Sequence, residues 1–258
     1  MSASDLDIDD GPAYAAAVGP LVDALGGGWL ISAQAGAFAK SHGLRARVAH
    51  MRGRASVLGD VDADVVTAAF GFWPSDLVRE SWEAGMAAVP VEQAGREYAE
   101  VCRDWGRERY AALDDDEAAR LAELLGWIVD SSDVAGLPLF AGWRARPLPD
   151  DARGRLSQLL HVHREQRGGV HLVAVLASGL TPLQAVLAGS GGSAGASFFG
   201  WEEPFESVAD KTLARAEAEA LTDRLLAPAY DVLGRDERIE LLALLQRASD
   251  VASAPASD

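Results

Sequence analysis

Tyr110-Ala111-Ala112-Leu113, followed by Asp116-Glu117 and Leu121-Ala122-Glu123-Leu124-Leu125, returns later in the chain as Tyr230-Asp231-Val232-Leu233, followed by Asp236-Glu237 and Leu241-Leu242-Ala243-Leu244-Leu245. The two copies stand 120 residues apart at every matched position. A second pair lies upstream. Val66-Thr67-Ala68-Ala69-Phe70 runs into Trp73-Pro74-Ser75-Asp76-Leu77-Val78, and Val173-Ala174-Val175-Leu176 runs into Thr181-Pro182-Leu183-Gln184-Ala185-Val186, with the prolines 108 residues apart. Self-similarity at a long period implies two copies of one structural unit. Two such copies in one chain mimic a two-fold homodimer, and a ligand site is expected between them.

Between sparse prolines the Ala/Leu/Arg/Glu-rich stretches 91–113, 117–129, 152–166 and 213–226 carry helical spacing. No alternating run marks a strand beyond a short one near Val48 or within 138–143. Each upstream motif has the spacing of a helix-turn-helix. In the second, His171 to Leu176 is the first helix, Ala177-Ser178-Gly179-Leu180 turns, Thr181 caps and Pro182 opens the next helix. In the first, Val65 to Phe70 precedes Gly71-Phe72-Trp73 and a helix from Pro74. The expectation is a mainly α fold of two diverged winged-helix-like repeats forming an intrachain pseudo-dimer. The domains span 11–146 and 147–250, with the seam at Pro147-Leu148-Pro149-Asp150-Asp151. Residues 1–10 and 251–258, small, acidic or Ser/Ala-rich, are expected to be disordered.

Composition narrows the class. An apolar fraction of 49% with 24% charged residues is that of a globular protein. No uninterrupted apolar run reaches the roughly 18 residues of a membrane span, and the start is acidic, unlike a signal peptide. The single cysteine, Cys102, forms no intramolecular disulfide and suits a reducing cytoplasm, so a cytoplasmic protein without a membrane partner is expected. The formal charge of −16 repels phosphate backbones and anionic lipid.

Three stretches carry a resemblance. They are Arg52-Gly53-Arg54-Ala55-Ser56-Val57-Leu58-Gly59 with Val65-Val66-Thr67-Ala68-Ala69-Phe70; Gly136-Leu137-Pro138-Leu139-Phe140-Ala141 with Pro149-Asp150-Asp151; and Arg164-Glu165-Gln166-Arg167-Gly168-Gly169-Val170-His171 before Ala177-Ser178-Gly179-Leu180. Together they resemble the actinobacterial SalK-like family, whose members carry helix-turn-helix descriptions and occur near natural-product biosynthetic genes. The resemblance implies a helix-rich, winged-helix-like fold and an intracellular small-molecule setting, without an established reaction. Gln166 stands where relatives tend to have His. Gly27-Gly28-Trp29-Leu30-Ile31 replaces an N-terminal His-containing segment, and a wing-like hairpin after Trp201 is reduced.

A helix-turn-helix reads DNA by placing its second helix in the major groove, with basic groups on phosphates. No Lys or Arg occurs between Gly168 and Asp210, and the other candidate helix offers Arg79 against Asp76, Glu80 and Glu83. DNA is therefore not the expected partner. The arginines gather elsewhere: Arg45, Arg47, Arg52 and Arg54, with His42 and His50; then Arg153, Arg155, Arg164 and Arg167, with His161, His163 and His171. Paired guanidiniums bind carboxylate or phosphate bidentately. The alternative for Arg45, Arg47, Arg153 and Arg155 is to solvate helix faces or pair with Asp and Glu.

The candidate ligand-binding residues are Arg52, Arg54, Arg164, Arg167, Phe70, Phe72 and Trp73, with His171 as the candidate proton-transfer group. The three aromatics, like Trp82, serve equally as core. His163 and His171 lie two helical turns apart, with Gly168-Gly169 expected to break the helix between them, and no metal-ligand spacing is present; no metal is expected. The stretch 189–200 is a Gly/Ser-rich loop, linker or lid, without a P-loop ending, and no nucleotide or other cofactor is expected. Cys102 has no motif of a nucleophile. The function that follows is a small-molecule-binding protein of natural-product metabolism, as a tailoring enzyme without nucleotide cofactor or as a binding protein. The alternative is a ligand-responsive winged-helix transcriptional regulator.

Overall fold

Side-chain caps decide where many of the helices begin. In the computed structural model, which describes residues 7–254, Asp10 caps α1 (Gly11–Gly27), Ser32 caps α2 (Ala33–Ser41) and Asp62 caps α4 (Ala63–Phe70). Asp114 caps α7 (Asp115–Ser131), Asp151 caps α9 (Ala152–Ala177), and Thr181 with Gln184 forms a capping box on α10 (Pro182–Leu187). Each accepts from a backbone N–H that would otherwise go unpaired. Between them lie α3 (Ala46–Ala55), α5 (Ser75–Ala88), α6 (Val91–Arg109) and α8 (Pro138–Arg144); α11 (Gly192–Phe199), α12 (Thr212–Leu226) and α13 (Arg235–Ser253) complete the chain.

Among the described residues there is no strand. The chain is all-α, and neither helix-turn-helix carries a β wing. The short strands expected near Val48 and in 138–143 are instead parts of α3 and α8, because Val48 packs inward and Pro138 opens a helix at its first position. Of the ends expected to be disordered, 1–6 and 255–258 lie outside the described residues. Asp10 caps α1, Ile8 is buried, and α13 runs on to Ser253.

The 26-residue α9 is the element around which the others are arranged, at roughly 39 Å long from a rise of 1.5 Å per residue. It packs against α1, α6, α7, α8 and α12. The expected break at Gly168-Gly169 is absent, and α9 continues to Ala177. Gly169 sits against Leu137, where a Cβ would come within 2.8 Å of its side chain, and tertiary packing carries the helix past two poor helix formers. The expected loop 189–200 is likewise helical over Gly192–Phe199, ending at Gly200 in the left-handed region.

The two sequence motifs adopt the same local form. Tyr110 and Leu113 are buried in the turn between α6 and α7; Tyr230 and Leu233 are buried in the turn between α12 and α13. α7 packs on α13, where Arg120 pairs with Glu240 at 2.7 Å. The main core draws on α1, α6, α7, α9 and α13 together, so residues on both sides of the 147–151 loop share it. One stretch, Gly11–Ser41, is by length and composition alone apolar enough to cross a membrane. It bends through a 3-10 turn at Gly28–Ile31, and Tyr14, Val18, Val22 and Leu25 of α1 enter the core.

Two glycines separate packing from propensity. Gly53 in α3 abuts the Tyr98 ring, whereas a Cβ on Gly36 in α2 meets nothing within 4 Å. Gly36→Ala is expected to stabilise by about 0.5–1 kcal/mol, and Gly53→Ala to destabilise by about 1–3 kcal/mol. Urea unfolding midpoints of the two variants check both signs.

Candidate functional site

The turn between α4 and α5 meets α9. Gly71, with φ at +56°, ends α4 and lies so close to Leu172 of α9 that any Cβ would run into that side chain. This contact sets Phe72 over His171, the rings stacked at 5.9 Å and 23°. The indole N–H of Trp201 donates to the Phe72 carbonyl at 2.9 Å and fixes the turn. Beside it opens a cleft of about 650 Å³. Phe70, Phe72 and Trp73 line it together with Phe199 of α11, whose ring packs edge-on against Trp73 at 5.1 Å; Arg164, Gly168, His171 and Leu172 of α9 form the floor, and Val186 of α10 completes the lining.

Seven of the eight residues expected from sequence line this cleft: Arg54, Phe70, Phe72, Trp73, Arg164, Arg167 and His171. Arg52 does not. It is 1% exposed, donates to the Val89 carbonyl at 2.9 Å and to Asp60 at 3.0 Å, and lies over the Trp82 ring at 4.7 Å. Positions 52 and 54 are about 200° apart around a helix, so only one of the two faces α9. Among the other arginines, Arg45 pairs with Glu80, Arg153 donates to the Tyr110 and Leu113 carbonyls, and Arg155 donates to that of Pro149. Arg47 reaches the Phe198 carbonyl and lies over Trp73. Trp82 is core.

Sequence reading passed over the acids. Arg54 holds Glu165 bidentately, Nε and Nη2 at 2.8 Å each, and Glu165 is 1% exposed. Burial opposes its charge, but Arg54, His161 and Arg164 outweigh burial and keep the carboxyl down at about 2. Arg167 pairs with Asp23 at 2.6 Å and Glu219 at 3.3 Å, and Arg215 pairs with Glu219 at 2.6 Å. Burial raises the pKa of Asp23 against the pull of Arg167. Only the Arg215–Glu219 spacing of four could have been noticed in the sequence; the others join α1, α3, α9 and α12.

Arg164 is left over. Its one hydrogen bond goes to Glu165 at 3.4 Å, an oxygen that Arg54 already holds. The side chain runs across Gly26 and Gly27 of α1, where added Cβ atoms would press on it. Burial lowers its pKa from the ordinary arginine value. Four guanidiniums (Arg54, Arg164, Arg167, Arg215) thus face three carboxylates in the cleft of a strongly acidic chain.

His171 is fixed in one tautomer. Thr222 spends its hydroxyl proton on the Ala218 carbonyl at 2.7 Å, so at 2.8 Å it accepts from His171 Nδ1. Nε2 is then an unprotonated acceptor. Burial lowers the pKa of this imidazole to about 4, against the pull of Glu219. His163 is enclosed in a buried chain: Tyr230 donates to its Nε2, and its Nδ1 donates to Gln166, which donates to Ser132. Among the described residues no group of three His, Cys, Asp or Glu could hold a metal ion. Cys102 is buried, and burial pushes its thiol up to about 12.

The fold is all-α, with tight turns joining α4 to α5 and α9 to α10. The HTH_67 model, described as a helix-turn-helix family, matches residues 15–256, and the chain belongs to that family. Comparison with curated proteins and with solved structures finds no significant match.

Burial lowers the pKa of His50 and His161 to about 3 and that of His163 and His171 to about 4, from 6.5. Below pH 6.5 the unfolded chain therefore binds protons that the folded chain refuses, so stability is complete above that pH and falls towards pH 4. Each histidine adds up to about 1.4 kcal/mol per pH unit to the slope. Glu165, held at about 2 against 4.5, adds loss in the same direction below pH 4.5. Urea unfolding against pH, with imidazole resonances followed by NMR, checks this; a His171 that titrates near 6.5 contradicts it. Arg54→Ala is expected to cost about 3–5 kcal/mol by leaving Glu165 charged and buried, and Arg54→Met with Glu165→Met to recover most of that stability in the same assay.

Proposed function

We propose that the protein binds a small organic anion with a large apolar body in the cleft between its two helix-turn-helix units. The observation that carries this reading is Arg164, a partly buried guanidinium whose one internal hydrogen bond, at 3.4 Å, goes to a Glu165 oxygen that Arg54 already holds; Phe70, Phe72, Trp73 and Phe199 line the same cleft. A partly buried cation with donors to spare selects an anion, and a lining rich in aromatic side chains selects the rest of the ligand. The resemblance to the SalK-like family supports a setting in natural-product metabolism, within the cytoplasm. If the ligand reacts there, His171 Nε2 is the proton acceptor and Arg164 the group that stabilises developing negative charge.

The family match favours one other reading, a ligand-responsive transcriptional regulator. Against it stands α5, whose exposed face carries Asp76, Glu80 and Glu83, with Arg79 already paired to Asp64. α10 is turned inward, with Ala185 and Val186 against the cleft. Neither helix offers the positive charge that phosphate contacts require. The internal duplication is part of the same proposal. The matching local form of the two Tyr-to-Leu-Leu motifs supports two repeats joined at the 147–151 loop, and so does the Arg120–Glu240 pair, whose partners stand 120 positions apart.

Differential scanning fluorimetry with cinnamate and methyl cinnamate tests the anion requirement. Cinnamate is expected to raise the melting temperature and the neutral ester not to; Arg164→Gln is expected to remove the difference, weakening cinnamate by about tenfold or more, or about 1.4 kcal/mol. Equal shifts by acid and ester would contradict the proposal. A gel shift at low salt is expected to show no retardation of duplex DNA; tight binding would favour the regulator.

A further inference from the structure

Arg164, Gly168 and His171 stand at i, i+4 and i+7 of α9 and share one face of the helix, the face that floors the cleft. Seven residues of helix place the backbone positions of Arg164 and His171 roughly 10 Å apart along the axis. Between them Gly168 presents bare backbone, and a Cβ there would meet nothing within 4 Å. Its neighbour Gly169 is explained by its contact with Leu137; Gly168 has no such partner in the protein. A glycine inside a helix costs about 0.5–1 kcal/mol relative to alanine, so an unused gap at this position stabilises nothing in the fold. A flat group lying on α9 under the Phe72 and Trp73 wall would use it.

The two ends of this strip ask for different chemistry. Arg164 offers N–H donors and a positive charge with one weak internal partner. His171, its Nδ1 proton committed to Thr222, offers only the Nε2 lone pair and so requires a donor. We propose that the ligand class is a hydroxyaryl carboxylic acid, its carboxylate on Arg164, its ring over Gly168 and its hydroxyl donating to His171 Nε2. This inference rests on the reading of the cleft as an organic-anion site and adds to it the second pole, the spacing and the floor.

Isothermal titration with a short series separates the two levels. 4-Hydroxycinnamate carries both poles at about the required spacing, cinnamate lacks the hydroxyl, and 4-hydroxybenzoate is shorter. The long hydroxy acid is expected to bind tightest, each of the others losing about tenfold. His171→Phe is expected to abolish the preference for 4-hydroxycinnamate over cinnamate while cinnamate still binds. Gly168→Ala is expected to raise the melting temperature, and Gly168→Leu to remove binding of every acid in the series while circular dichroism stays helical. Equal binding of cinnamate and 4-hydroxycinnamate by the wild type would overturn the donor pole, and unchanged binding by Gly168→Leu would overturn the floor; in both cases the anion site stands. Failure of all three acids to bind would overturn the anion site itself.

Discussion

A carboxylate buried to 1% exposure has to be neutralised, and the pair that does this, Arg54 on Glu165, is the constraint on which the cleft depends. Two hydrogen bonds of 2.8 Å fasten α3 to the middle of α9. Removing either partner strands a charge in the interior, which is far costlier than losing a surface ion pair. Because Arg54 takes both oxygens at 2.8 Å, the adjacent Arg164 has only a second, longer claim on Glu165 at 3.4 Å. The polarity of the cleft is therefore a remainder left by a structural pair.

The chain belongs to a helix-turn-helix family, yet α5 and α10 carry little positive charge. A recognition helix works by exposing basic side chains, and here α10 turns its small apolar side chains into the cleft while α5 shows acids to solvent. The turn after α4 and the C-terminal part of α9 meet in a tight contact between Gly71 and Leu172, possible because glycine accepts a positive φ and has no side chain to intrude. That contact aligns an aromatic wall with a polar helix face.

Local signals were legible in the sequence and long-range ones were not. Thr181-Pro182, the stretches over α6, α7 and α12, and the Tyr-to-Leu-Leu motifs announce themselves through caps and spacing. Gly168-Gly169 misled because propensity says nothing of Leu137 or of the neighbours that hold α9 straight, and 189–200 misled because glycine-rich composition hid a short helix. In the cleft, the arginine-rich and aromatic stretches named segments that line it. They could not separate Arg54 from Arg52, which requires the rotation of α3, and they gave no sign of Asp23 or Glu165, whose roles exist only once α1, α3 and α9 are packed.

The most direct measurement of the central claim is a titration of the side-chain Nε–H resonances of the arginines with cinnamate by ¹⁵N NMR. The account predicts that the Arg164 resonance moves and sharpens with added cinnamate, while those of Arg54, committed to Glu165, and Arg52, committed to Val89 and Asp60, stay where they are. A titration in which Arg164 is silent and another arginine responds would contradict it.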